Sequence, residues 1–212
     1  MEEVTLQDIR RALALPSFDV QAAHQMMMPQ ARLRDRASNL RGKPRVGSVL
    51  LLLYCRDGEM HLVLTRRRDD LNSHAGQISF PGGRREPDEP LSLTALRETK
   101  EEVGIPETAV SILGELSQIY IPPSDYEVHP FVGWHENGRP QFLPETDEVA
   151  EILEVPLSHL LDPDNRREEP WDFRGHQVTI PFYDVKGNKV WGATAIMLSE
   201  FIERLRLTKT GD

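Results

Sequence analysis

Cysteine is nearly absent: Cys55 is the only one in 212 residues. Intrachain disulfides are therefore excluded, and so are zinc sites built on several cysteines. Long apolar runs are missing too. The most apolar stretch, Val49-Leu50-Leu51-Leu52-Leu53-Tyr54-Cys55, falls far short of the roughly 20 residues that a helix needs to cross a bilayer. Cys55 inside it is expected to be an inert buried thiol. An excess of positive charge is lacking as well. Lys and Arg number 25 against 34 Asp and Glu, a formal net charge of −9. That balance disfavours nucleic acid as a partner, because a phosphate backbone is met by a broad basic surface. The start, Met1-Glu2-Glu3, has neither the basic nor the apolar region of a secretory signal. The end, Lys209-Thr210-Gly211-Asp212, is not a peroxisomal address. These absences together predict a cytoplasmic chain with no membrane partner.

What is present suffices for a core. At 39% hydrophobic over 212 residues, the chain is expected to form one main domain over residues 45–206. An N-terminal helical extension, 1–44, would pack on it, and 207–212 would be a tail. Helix is expected over 5–15, where Leu6, Ile9, Leu13 and Leu15 fall near one face. The Met26-Met27-Met28 triplet is read as a plug for an apolar gap. Strands are predicted near 46–54 and 60–65, joined by the hairpin signal Asp57-Gly58. A short strand at 77–80 leads into a glycine turn. Further strands are expected at 109–119 and 126–134, with Asn137-Gly138 as the next turn. An apolar stretch at 148–155, a short helix at 157–161, a strand at 177–183 and a closing helix over 191–206 complete the pattern.

The segment 83–105, GRREPDEPLSLTALRETKEEVGI, carries the chemistry. Pro87, Asp88, Glu89 and Pro90 signal a helix start, with acids at its positive end and proline in the first turn. Gly104 signals the stop. If 90–103 are helical, Glu98, Glu101 and Glu102 stand at i, i+3 and i+4 and project from one side. Like charges so placed repel by a few tenths of a kcal/mol per pair. A glutamate-rich helix face is ordinarily just solvated surface. Here, however, Phe80-Pro81-Gly82-Gly83 closes a strand immediately before the helix, and glycine permits close approach of the backbone. Convergent carboxylates on a strand–turn–helix unit suit a hard cation, Mg²⁺ or Mn²⁺. On the opposite stripe Ala95, Thr99 and Val103 would pack the helix tightly on a sheet.

Gly83, Glu89 and the run Arg97-Glu98-Thr99-Lys100-Glu101-Glu102-Val103-Gly104-Ile105 resemble the Nudix box, the signature of the Nudix hydrolases. Thr99 is the one departure, since the family usually has an aliphatic residue there. The resemblance implies an α/β fold, an α/β/α sandwich with a mixed central sheet. It also implies cleavage of a nucleoside diphosphate conjugate by water, with bound metal neutralising charge and activating the water. By resemblance Glu98 and Glu102 are the firmest metal ligands, Glu101 is a third and the Gly83 carbonyl a fourth. Arg97 would pair with Glu89 and orient the helix. Glu98 or a residue outside the box would be the general base.

The stretch from Leu64 to Gly83 is similar to the extra motif of coenzyme A pyrophosphatases, with Thr65, Arg67, Leu71, His74, Gly76 and Gln77 at its fixed positions. Arg68 and Asn72 depart from it. Coenzyme A carries a diphosphate and a 3′-phosphate, which the fork geometry of arginine suits. Arg66, Arg67, His74 and Gln77 are therefore the expected substrate-phosphate contacts. The segments 120–124 and 128–133 resemble the same subfamily, as does the acidic run Asp147 to Glu151, from which Glu148 would reach the metal or act as base. The implied partner is a small molecule, coenzyme A or an acyl-coenzyme A, and the family also suggests a homodimer. Two other readings remain open here. One is hydrolysis of another conjugate such as ADP-ribose or NADH. The other is a sensor that binds a nucleotide without cutting it, although such proteins usually lose the box carboxylates that this chain retains.

Overall fold

The structure, a computed structural model, describes residues 3–29, 43–70, 76–173 and 175–210. The apolar run becomes the central strand β1 (Arg45–Arg56), which turns at Asp57-Gly58 into β2 (Glu59–Arg67). Both turn residues have positive φ, 53° and 84°, which explains the Asp-Gly pair. Two short strands follow, β3 (Ile78–Ser79) and β4 (Gly82–Arg84), then helix α3 (Leu91–Val103). The chain continues through β5 (Val110–Glu115), β6 (Ile119–Ile121), β7 (Tyr126–His135) and β8 (Val149–Pro156). These eight strands form one mixed sheet with β3-β2-β1-β7-β5 as its spine. β1 runs parallel to β7 and antiparallel to β2 and β4, while β8 pairs with β2 and β6 with β7.

One face of the sheet is covered by α3, through Leu50, Leu52, Tyr54, Val63, Ala95, Leu96, Val103 and Phe131. The other is covered by α1 (Leu6–Leu13), α2 (Val20–Gln25), α4 (Leu157–Leu161) and α5 (Gly192–Thr210). The result is an α/β/α sandwich. A second, three-stranded sheet, β9 (Arg166–Phe173), β10 (His176–Val185) and β11 (Asn188–Trp191), leads into α5. Met27 is fully buried, with Met26 and Met28 packed against the same core, so the triplet does fill an apolar gap. Cys55 is only half-buried. No helix of the described residues is long and apolar enough to cross a membrane.

Several boundaries differ from expectation. The strand predicted at 109–119 is divided. The register shifts between Ile112 and Gly114, Leu116 N–H bonds to Pro130 C=O, and Ser117 N–H leaves the sheet for Glu200. Helix α2 falls within the expected helical extension, whereas strands β9 and β11 were not expected. β9 is polar and contains Pro170, which an edge strand accommodates because only one side of it needs ladder hydrogen bonds. Helix α5 runs four residues past the predicted end at 206, to Thr210. Helix α3 starts differently as well. Pro90 is its N-cap, Asp88 has a φ of 60°, and no acid lies in the first turn. Glu89 is drawn outside the helix by side-chain partners described below.

Candidate active site

Helix α3 is fixed to the sheet by its small stripe. Ala95, Thr99 and Val103 are all buried, and Thr99 Oγ1 donates to the Ala95 carbonyl at 2.7 Å. The helix ends at Gly104, whose φ of 78° and close contact with Leu143 would both resist a Cβ. With that stripe facing inward, Glu98 and Glu102 come to lie over β4, while Glu101 points outward.

Glu102 is the inner carboxylate. It is 8% exposed and accepts the Gly82 amide at 3.4 Å. Burial pushes its carboxyl up to about 8; the Gly82 amide and Arg67 act against this, and Glu98 and Glu148 add to it. Glu98 is also raised, first by burial, against the pull of Arg97. A Cβ added at Gly83 would collide with the Glu98 carboxylate, so glycine is required there by close approach. We expect Gly83→Ala to displace Glu98 and lower turnover by about 100-fold, the scale of a lost preorganised group. Its Tm should change little, because Gly83 does not have a left-handed φ. Parallel kinetics and thermal melts would check this, and full activity would remove Gly83 from the site.

Arg97 is the electrostatic hinge of the helix. Its Nε meets Glu89 Oε1 at 2.9 Å, and its Nη1 meets Glu98 Oε1 at 2.8 Å and Glu101 Oε2 at 3.2 Å. Its Nη2 donates to the Arg84 carbonyl at 3.0 Å. Glu89 in turn accepts from Thr94 Oγ1 at 2.7 Å and from the Glu86 amide at 3.2 Å. The Arg97 hydrogen bond, aided by Thr94, holds its carboxyl down at about 2. The Arg97–Glu89 pairing expected from the sequence is thus present, and Thr94 is an unforeseen member with no signal of its own.

Across from α3, the end of β2 supplies Arg67. Its Nη1 lies 3.5 Å from Oε2 of Glu148, the residue just before β8. Its amide donates to the Gln77 carbonyl at 3.0 Å, setting Gln77 beside it on the sheet. The flanking arginines turn elsewhere. Arg66 is bonded to Asp69 and Glu151, and Arg68 to Asp70 and the Thr146 carbonyl. The positive charge read from the triplet is thus matched by carboxylates at all three members, and of the three only Arg67 also acts on Glu102 through its charge. His74 lies outside the described residues.

Among the described residues no three carboxylate, imidazole or thiol groups close on one point. Glu98 and Glu102 form an inner pair, and Glu101, with 58% of its side chain exposed, is held on the outer side by Arg97. The three-way convergence expected from helical spacing is therefore a two-way one, because the third position falls on the solvent side of the helix. Two carboxylates completed by water and substrate oxygens are a donor set that suits Mg²⁺. A buried acid beside a second one, both with raised carboxyl pKa, also fits a site made for a cation.

Comparisons with known proteins agree with this geometry. The NUDIX domain family matches residues 44–174. The "Uncharacterized Nudix hydrolase NudL" of Photorhabdus laumondii is 35% identical over 196 residues, covering 92% of this chain and 100% of the relative. A protein of the same description from Yersinia pestis is 37% identical over 166 residues, covering 77% and 81%. Among solved structures, the Nudix hydrolase RenU of M. smegmatis aligns with a TM-score of 0.54 at 15% identity, over 84% of this chain and 92% of that one. The MutT protein of Methanosarcina mazei Go1 gives 0.51 at 20% identity, over 81% and 99%. At such identities the structural matches speak for the fold alone. A family match across more than half the chain, and a relative aligned along its whole length, show that this chain belongs to the Nudix hydrolases.

Proposed function

We propose that the chain is a cation-dependent diphosphatase that cleaves coenzyme A or its thioesters into adenosine 3′,5′-bisphosphate and 4′-phosphopantetheine or its acyl form. The observation that carries the reading is the pair of half-buried Glu98 and buried Glu102, held over Gly82-Gly83, with the charge of Arg67 acting on Glu102. The coenzyme A assignment is supported by the resemblance of Leu64 to Gly83 to the pyrophosphatase motif. It is supported further by Arg67, the motif arginine, being the one of the three whose charge acts on Glu102.

In this reading Glu98 and Glu102 hold Mg²⁺ or Mn²⁺, with the Gly83 carbonyl and the outer Glu101 completing or balancing the set. The bound cation would neutralise diphosphate charge and lower the pKa of water. Arg97 fixes Glu98 relative to Glu89 and so keeps the inner pair in register. Arg67 offers its fork to a phosphate oxygen, with Gln77 as a neighbouring contact and Arg66 in an outer position, and the resemblance alone adds His74 to the phosphate contacts. Glu148, within reach of Arg67, is the candidate base outside the helix.

Mass spectrometry of products from coenzyme A, acetyl-coenzyme A, ADP-ribose and NADH, with and without Mg²⁺, tests this directly. Adenosine 3′,5′-bisphosphate from the first two, only with the cation, is the expected result. Preferential cleavage of ADP-ribose or NADH would replace the substrate assignment, and binding without cleavage would make the chain a sensor. Arg67→Ala should raise KM by about tenfold or more, the scale of a lost charged hydrogen bond, with a smaller effect on Tm. The reverse pattern, a large loss of Tm with KM unchanged, would make Arg67 structural.

A further inference from the structure

Two buried side-chain polar atoms among the described residues have no hydrogen-bond partner, Ser48 Oγ and Arg67 Nε. Leaving such a group unpaired costs about 1–3 kcal/mol, so each calls for a reason. Arg67 pairs with Glu148 through Nη1, and its charge acts on Glu102, as described. Ser48 stands on β1, on the face where its strand neighbours Leu50, Leu52 and Tyr54 are apolar. An alanine would fit that position without cost, yet a hydroxyl is present and fully buried.

The sheet register shows what it lies against. Ser48 is the cross-strand partner of Gly83. Partners in an antiparallel pair present their side chains to the same face. On that face, the space a Gly83 side chain would take is filled by the Glu98 carboxylate. The Ser48 hydroxyl and Glu98 are therefore neighbours. Glu98 gives one oxygen, Oε1, to Arg97 at 2.8 Å, and no donor among the described residues is bonded to Oε2. The orphaned Ser48 hydroxyl thus stands beside a carboxylate that has an oxygen to spare.

We propose that Ser48 is a positioning residue for Glu98, donating its O–H to the Glu98 carboxylate when a divalent cation is bound. This rests on the reading of Glu98 as a cation ligand. In the structure Arg97 holds Glu98 Oε1, and the serine hydroxyl has no partner. With a cation bound, the hydroxyl would secure Oε2 while Arg97 keeps Oε1, so that the carboxylate is held from both sides. Residues that orient ligands in this way typically alter metal affinity by about 10–100-fold when removed.

The test is Ser48→Ala, read by thermal melts in chelator and by Mn²⁺ titration calorimetry on the full chain without substrate. The metal-free Tm should stay level or rise, because an unpaired buried hydroxyl is removed. The Mn²⁺ Kd should weaken by about tenfold. In a Glu98→Gln background, Ser48→Ala should leave the residual Kd unchanged. An unaltered Kd in Ser48→Ala, or a metal-free Tm lowered by several degrees, overturns the proposal while leaving the site itself standing. Failure of the unsubstituted protein to bind Mn²⁺ overturns the cation reading of Glu98 and the serine's role with it.

Discussion

Glu102→Gln is expected to remove nearly all turnover at saturating Mg²⁺, by at least about 100-fold, while the metal-free protein becomes no less stable. The two effects have one cause. A carboxylate that burial pushes up to about 8 is an expensive group to keep in the fold, and the nearby Glu98 and Glu148 make it more so. Glutamine keeps the shape and can still accept the Gly82 amide, so neutralising the side chain relieves the burial cost. It also removes the charge that would hold a cation. The expected signature is therefore opposite movement of activity and stability, the trade that a site built for a ligand exhibits. Steady-state kinetics over a Mg²⁺ series, with thermal melts in chelator, would read both. Unchanged turnover at saturating Mg²⁺ would refute the metal role of Glu102. A large fall in metal-free Tm would show that its charge is structural.

How far the site was legible depended on which interactions are local. The carboxylate spacing, the αL stop at Gly104 and the Asp57-Gly58 hairpin are encoded within a few residues, and all three appear in the structure. The small stripe Ala95, Thr99 and Val103 correctly gave the inward face of the helix. The same geometry should have placed Glu101 outside, but helical spacing alone cannot say which of three neighbouring glutamates the sheet will cover. The fates of Arg66 and Arg68 were invisible for a similar reason. Their partners Glu151 and Thr146 are some 80 residues away in sequence, brought near by the pairing of β2 with β8. Ser48 gave no sign beyond being one hydroxyl at the head of an apolar run. Strand β9 was missed because its residues are mostly charged and β11 because it is only four residues long, and their pairing with β10 rather than any local preference makes them strands.

The largest stability effect is expected far from the active site, at Glu200. This carboxylate is fully buried in α5 and was not singled out by any sequence pattern. It accepts from His24 Nε2 at 2.9 Å, from the Ser117 amide at 3.2 Å and from Arg204 Nη2 at 3.0 Å. One side chain thereby joins α2, the crossing between β5 and β6, and its own helix. Ser199 Oγ adds a 2.8 Å bond to the Ala23 carbonyl at the same junction. Glu200→Ala would take this carboxylate from the half-buried Arg204 guanidinium and the buried His24, which costs about 3–5 kcal/mol for a broken buried pair. At about 2–4 °C per kcal/mol for a chain of this size, Tm should fall by about 10 °C or more. Acid should reproduce part of the loss. Burial alone would raise the Glu200 carboxyl, but the bonds from His24, the Ser117 amide and Arg204 outweigh it and set it below its ordinary value. The native state thus binds fewer protons than the unfolded one. Its contribution is complete above the unfolded value of about 4.3 and disappears as pH falls through the lowered folded value. Urea melts at pH 7, 5 and 3.5 should show a gap between the unsubstituted protein and Glu200→Ala that is wide and constant at the upper two and narrows at the lowest. A gap that is small at pH 7 would mean that the junction of α2 with α5 is held by its apolar packing instead.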